Sequence, residues 1–206
     1  MTPPIHGELT RFSVSFPFTP IGSTADVRRL IESHLPPWER ATHLAQSYVT
    51  NAAWLFQGIT PEQVIDEMLP AIYKRPRSEL SEEDRPYQDY SGPHDLSLIF
   101  LVFAVGALMD LGQEPYNAEA EHYHILAKAA LCLQPVLEKP SLVAIQALYL
   151  LSVYIAMCTN DMRSGDASME SSWSILSLAA QLAQSVRILD SVLATSRLMT
   201  VLDRFT

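Results

Sequence analysis

From Trp38 onward, apolar residues return at every third or fourth position: Ala41, Leu44, Ala45, Tyr48, Val49, Ala52 and Leu55. That spacing lines one face of an α-helix, so an amphipathic helix is predicted here, ended by Gly58 in the left-handed conformation. The same period links Val27, Leu30, Ile31 and Leu35 behind Thr24, a candidate N-cap, until Pro36 and Pro37 stop the winding. Thr60-Pro61-Glu62-Gln63 then reads as a capping-box start, with a hydroxyl cap, proline at the first helical position and Gln63 reaching back. A short helix to about Leu69 follows.

Four further helices are predicted: Asp95 to Leu111, Asn117 to about Leu133, Ser141 to about Cys158, and Ser168 to beyond Val186. The breaks hold Gly112 and Pro115, then Pro135 and Pro140, then 160–166. Breaks this short return the chain beside the helix it has left, so consecutive helices are expected to pack as antiparallel neighbours. The starts are unevenly spaced, which argues against a regular helical solenoid. Leu98 to Met109 is the longest apolar run. It is far shorter than the roughly 20 residues that cross a bilayer, and Asp95 and Asp110 flank it, so a buried core helix is expected.

Two stretches lack a helical period. Residues 1–22 carry several prolines and an alternation of Phe12, Val14, Phe16 and Phe18, which predicts an extended segment laid on an apolar surface. Residues 74–93 are polar, with the mixed-charge run ELSEEDRP, and are expected to form a long exposed loop. The predicted fold class is all-α: an irregular bundle of antiparallel amphipathic helices over 23–186, an extended N-terminal segment at 1–22, and a divergent tail at 187–206.

Composition narrows the functional classes. Of 206 residues, 48% are hydrophobic, enough for one core of ordinary size. A net charge of -9 repels phosphate backbones and anionic lipid, so neither DNA nor a membrane is an expected direct partner. Cys132 and Cys158 lie in apolar helical surroundings and read as small buried hydrophobes without a disulfide framework. The start MTPPIHGELT has neither the basic nor the apolar stretch of a secretory signal, which predicts an intracellular protein.

Candidate chemistry is sparse. Glu119, Glu121, His122 and His124 are the densest cluster of metal-ligand types. On a helix, however, residues two apart point to different sides, whereas a chelate needs three- or four-residue spacing, so His122 and His124 are expected to face apart. Glu119 and Glu121 suit the first turn of a helix, where the dipole favours carboxylates. His43 follows Glu39 by four residues and predicts a surface pair, while His6, His34 and His94 fall at helix ends or in loops. No G-x-S-x-G elbow is present, and the glycines are too isolated for a phosphate-binding loop. Tyr149, Tyr154, Met157, Met169 and Trp173 suit either a pocket between helices or, more commonly, plain core. No catalytic, cofactor-binding, metal-binding or DNA-contacting residue is therefore assigned, and the chain is not expected to be an enzyme.

Four stretches carry a family resemblance: LPPWERATHLAQSYVTNAAWLF from Leu35, HDLSLIFLVFAVGALMDLG from His94, YNAEAEHYHILAKAAL from Tyr116 and PSLVAIQALYLLSVY from Pro140. With the internal pair Gln146-Ala147, and SWSILSLAAQLAQS from Ser172, they resemble the fungal-specific transcription factor domain, the middle homology region of zinc binuclear cluster regulators such as the xylanolytic activators. The resemblance covers roughly residues 12–186 and departs from the family pattern at Arg187-Ile188-Leu189-Asp190. It implies a nuclear regulatory domain that modulates RNA polymerase II transcription through protein partners, further domains of its own chain or a small-molecule effector.

In this family DNA is gripped by an N-terminal cluster in which six cysteines hold zinc, and two cysteines cannot build it. The sequence thus resembles a member shortened at both ends, with zinc expected only in full-length relatives. The alternative from a different class is a helical protein-protein adaptor with no transcriptional role, prompted by the small-aromatic-small texture of AEAEHYHILAKAAL.

Overall fold

The computed structural model describes residues 7–74, 90–114, 117–138, 140–158 and 169–186, all helix and connecting turn, with no strand among them. The helices are α1 (Gly7–Ser15), α2 (Thr24–Glu32), α3 (Trp38–Asn51), α4 (Ala53–Phe56), α5 (Leu69–Ile72), α6 (Pro93–Leu108), α7 (Ala118–Leu131), α8 (Leu142–Cys158) and α9 (169–186). The all-α class read from the sequence holds.

The centre of the molecule is α6, buried from His94 through Ala107. A helix that is apolar all round can sit only inside, and α3, α7 and α8 wrap it from different sides. This departs from simple sequential pairing: α7 does pack on α6, but α8 also packs mainly on α6 and touches α7 only lightly. Helix α6 also starts two residues before the predicted Asp95. Pro93 takes the first helical position, and the Asp95 carboxylate accepts the Gly92 N–H at 2.9 Å. No helix among the described residues is long and apolar enough to cross a membrane.

Close approach of α3 to α6 depends on Gly106, where an added Cβ would lie 2.1 Å from the Leu44 carbonyl oxygen. Two side chains of α3 tie the same crossing: Ser47 Oγ donates to the Gly106 carbonyl at 2.8 Å, and Asn51 Nδ2 to the Met109 carbonyl at 3.1 Å. On the other side, Asn117 caps α7 through the Ala120 N–H and donates to the Ala107 carbonyl, each at 2.8 Å.

Several boundaries differ from those expected. Residues 7–15 form helix α1 instead of an extended strand-like segment. Leu9 and Phe12, three apart, are the buried pair, and α1 lies mainly on α7. Val14 and Phe18 are exposed, so the two-residue alternation was coincidental. Residues 1–6, including His6, lie outside the described residues. Ser23 caps α2 in place of Thr24, its hydroxyl accepting the Asp26 N–H. The long helix from Trp38 breaks at Ala52, and Gln57, not Gly58, takes the left-handed position with φ 35°. Gly58 is required for a different reason, since a Cβ there would meet the Tyr149 ring at 2.5 Å.

Thr60 does cap the next helix through the Gln63 N–H at 3.2 Å. The winding then loosens into a π-helical stretch, Gln63–Met68, before returning to α at Leu69, and runs past the predicted end at Leu69 to Ile72. The Gln63 side chain does not reach back to Thr60. It forms a reciprocal amide pair with Gln146 of α8 at 3.0 Å, while Gln146 also donates to the Gly58 carbonyl and Tyr149 Oη to that of Phe56.

Of the predicted loop 74–93, residues 75–89 lie outside the described residues. Its far end is anchored: the Tyr90 ring is buried and its hydroxyl donates to Glu67 at 2.6 Å, while the Ser91 carbonyl accepts from Arg28. The tail 187–206 is likewise outside the described residues. Helix α9 runs to 186 with Ala179 and Leu182 in the core, and Ser172 Oγ donates to the Ser152 carbonyl at 2.9 Å.

Candidate functional site

Three gatherings of polar side chains stand out among the described residues. The first is a charged seam joining α3, the end of α6 and the start of α7. Arg40 turns its guanidinium flat onto Glu119, Nε to Oε1 at 3.1 Å and Nη2 to Oε2 at 2.5 Å, while Nη1 reaches Asp110 at 3.1 Å. Gln113 donates to the same Glu119 at 2.9 Å, and Tyr123 Oη does so at 3.2 Å. Burial would raise the Glu119 carboxyl, but the bonds from Arg40 and Gln113 outweigh it and hold the carboxyl below its ordinary range. Asp110 is held low in the same way, by the Gly112 N–H, Arg40 and His43 working against burial. His43 therefore faces Asp110 and Arg40, not Glu39 as the four-residue spacing had predicted.

The second is a set of histidines that the fold keeps apart. His122 and His124 face opposite sides of α7, as the helical spacing required. His122 shares a hydrogen bond with His34 at the end of α2, Nε2 to Nδ1 at 3.2 Å. His124 stacks on Tyr154 of α8 with ring centres 4.5 Å apart. His94 points Nε2 at the Gln134 carbonyl at 3.2 Å. Burial disfavours the imidazolium at all three of His94, His122 and His124, and His34 adds repulsion at His122. At His124 the value falls to about 3.

One turn beyond His124 along α7, Lys128 is half-buried and its ammonium is disfavoured by that burial. Cys132 is buried and pushed up to about 12, so it is an unreactive thiol, and Cys158 is also raised by burial. No group of three His, Cys, Asp or Glu side chains able to hold a metal ion occurs among the described residues.

The lowered values at these histidines predict that stability falls in acid. A group whose cationic form is disfavoured in the folded chain binds its proton more readily when unfolded, so the loss begins as pH drops below about 6.5, the unfolded histidine value. With a folded value of about 3 at His124, that residue alone should remove about 2 kcal/mol between pH 7 and pH 5. His124→Phe, which keeps a ring against Tyr154, is expected to flatten urea-denaturation stability over that interval by this amount. An unchanged slope would show that His124 takes up its proton in the folded state.

The third place is a cleft of about 660 Å³ between α2, α5 and the start of α6. Leu35, Ala71, Ile72 and Leu96 form its apolar wall, and Arg28, Arg29, Lys74 and Tyr90 stand at its polar side. Sequence reading assigned none of this. Arg28, Lys74 and Leu96 are far apart in the chain, and each taken alone is an ordinary surface or core residue. Tyr149, Tyr154, Met169 and Trp173, considered with Met157 for a pocket between helices, point to different surroundings. Tyr149 bonds to Phe56, Tyr154 lies on His124, and Trp173 and Met169 are exposed.

Comparison with models of protein families, with curated proteins and with solved structures returns no match.

Proposed function

We propose that this chain is a regulatory, non-DNA-contacting helical domain of the kind carried by fungal zinc-cluster transcription factors, and that it is not an enzyme. The observation that carries the reading is where the family-like stretches fall. They supply α3, α6, α7 and α8, the central helix and the three that wrap it, and SWSILSLAAQLAQS supplies most of α9. The Gln146-Ala147 pair has a physical task in that arrangement. Ala147 is buried, while Gln146 holds α8 to Gly58 and Gln63.

The chemistry of the polar groups supports the non-enzymatic part. Among the described residues, His94 is packed against backbone and His124 against an aromatic ring, burial disfavours the imidazolium at both, and the buried Cys132 thiol is held protonated. In this reading the domain works in the nucleus, modulates RNA polymerase II transcription through protein partners or a small-molecule effector, and reaches DNA only through a six-cysteine zinc cluster. Its charge of -9 accords with keeping off nucleic acid.

The test is a reporter assay in which the chain is inserted between a heterologous zinc-cluster DNA-binding segment and an acidic activation segment. Insertion is expected to change reporter output by at least about fivefold, the low end of ordinary coupling between sites. Output equal to that of the fusion lacking the chain, at matched protein level, would overturn the reading in favour of a helical protein-protein adaptor.

A further inference from the structure

We propose that the stretch 192–205 folds back along α9 as an amphipathic helix and covers an apolar stripe of α9 that the core leaves open. Helix α9 carries more apolar surface than it buries. One stripe, Ile175, Ala179 and Leu182, faces inward, and Ser172 on the same side donates to the Ser152 carbonyl at 2.9 Å. A second stripe, Met169, Trp173, Leu176, Ala180 and Ala183, keeps the same three-and-four spacing about a third of a turn away. Its large members stand in water: Trp173 is 64% exposed and Met169 47%. Two large apolar side chains one turn apart on one face mark a contact surface, unlike the single apolar residues scattered over any protein exterior. The polar side of α9 lies elsewhere, with Glu170, Ser174, Ser177, Gln181 and Gln184.

The sequence that follows α9 has the matching pattern. Ala194, Leu198, Val201, Leu202 and Phe205 recur at the spacing of one helical face, with Arg197, Thr200 and Arg204 on the opposite side. Asp190 and Ser191, residue types that start helices, stand just before, and 187–191 is a length that reverses a chain between antiparallel helices. At ~1.5 Å per residue α9 is about 27 Å long and 192–205 about 21 Å, so the folded-back stretch reaches the level of Trp173. The stretch on the other side of α9, TNDMRSGDAS over 159–168, is mostly polar and offers no comparable stripe.

Charge agrees with this choice of occupant. The chain carries -9, yet 187–206 holds three arginines against two aspartates, a basic segment on an acidic molecule. Folded back, Arg204 comes within about one helical turn of Glu170, the one charged residue of α9. Attachment also favours this segment over a second copy of the chain, because a short connection holds it at a roughly millimolar effective concentration.

The inference does not depend on a role in transcription, and the two can fail separately. Its test uses the full chain with p-benzoylphenylalanine in place of Trp173, whose exposure allows the exchange without disturbing the core. Chains of light and heavy nitrogen are mixed, irradiated and digested, and the joined peptides are read by mass spectrometry. The expected partners are residues 198–205 of the same chain. Light chains joined to heavy ones would assign the face to a second copy, and partners in 159–168 or in other helices would assign it to those. Irradiation that joins no peptide would leave the face open to water. Each of these three results overturns the proposal.

Leu198→Asp combined with Leu202→Asp is expected to abolish the link, and to raise amide exchange across 173–183 at least about tenfold through loss of two buried leucines, with α6 unchanged. Leu193→Asp, off the stripe, should change neither. Equal exchange in the parent and both variants would overturn the proposal, and if the double variant fails to fold, the link in the parent decides alone.

Discussion

Gly106→Ala is expected to cost about 3–5 kcal/mol, read as a fall in the urea midpoint, or to leave the chain unfolded. In an exposed helix the same change would stabilise by about 1 kcal/mol, because alanine loses less backbone entropy than glycine. Here the new methyl would lie 2.1 Å from a backbone carbonyl oxygen of α3. Backbone cannot swing aside as a flexible side chain can, so α3 and α6 must separate. Separation stretches the bonds from Ser47 and Asn51 and opens a gap beside the fully buried Leu44. A Gly106→Ala chain as stable as the parent would show that the crossing is looser than described.

Arg40→Met should cost about 2–4 kcal/mol. Removing the cation leaves Glu119 and Asp110, with side chains 18% and 11% exposed, side by side without their counter-charge. The figure stays below that for a fully buried pair because Arg40 itself is 28% exposed and water screens the site. The pH dependence separates this charge effect from lost packing. In the parent both carboxyls are held below their ordinary range, so their stabilisation is present above about pH 4 and is lost as pH falls through the folded values.

Without Arg40, burial is opposed only by the remaining hydrogen bonds, so both carboxyls should titrate higher than in the parent. The deficit of the variant should therefore narrow between pH 7 and pH 5, the acid effect of the histidines being common to both chains. Arg40→Met combined with Glu119→Gln should recover part of the loss. A deficit independent of pH would assign the cost to packing of the arginine stem.

The long helices were legible because their signals are redundant. Asn117 as cap and three-and-four apolar spacing from Trp38 marked the starts of α7 and α3, whereas Pro93 was read as loop and α6 begins two residues before the predicted Asp95. The separation of His122 from His124 followed from helical geometry alone. What could not be read were features made by residues distant in sequence. Nothing near Arg40 announces Asp110 and Glu119, and nothing in a polar loop marks Tyr90 as an anchor for Glu67.

Helix α1 was missed because two periods fitted the same residues. Alternating Phe12, Val14, Phe16 and Phe18 satisfied a strand pattern, and only the surface offered by α7 selects Leu9 and Phe12 instead. The cleft was hidden for a related reason, since its wall is shared by three elements whose proximity is a property of the fold.

The position of α6 has a consequence for synthesis. This buried, largely apolar helix ends at Leu108, but the last of the helices that wrap it, α8, is complete only at Cys158, about 50 residues later. At ~5–20 residues/s a ribosome needs roughly 3–10 s to make that stretch. For that time the nascent chain carries an apolar helix whose α8 face is still open, a natural target for a holding chaperone. Translation slowed between codons 109 and 158 should therefore lower the soluble yield without altering a single residue.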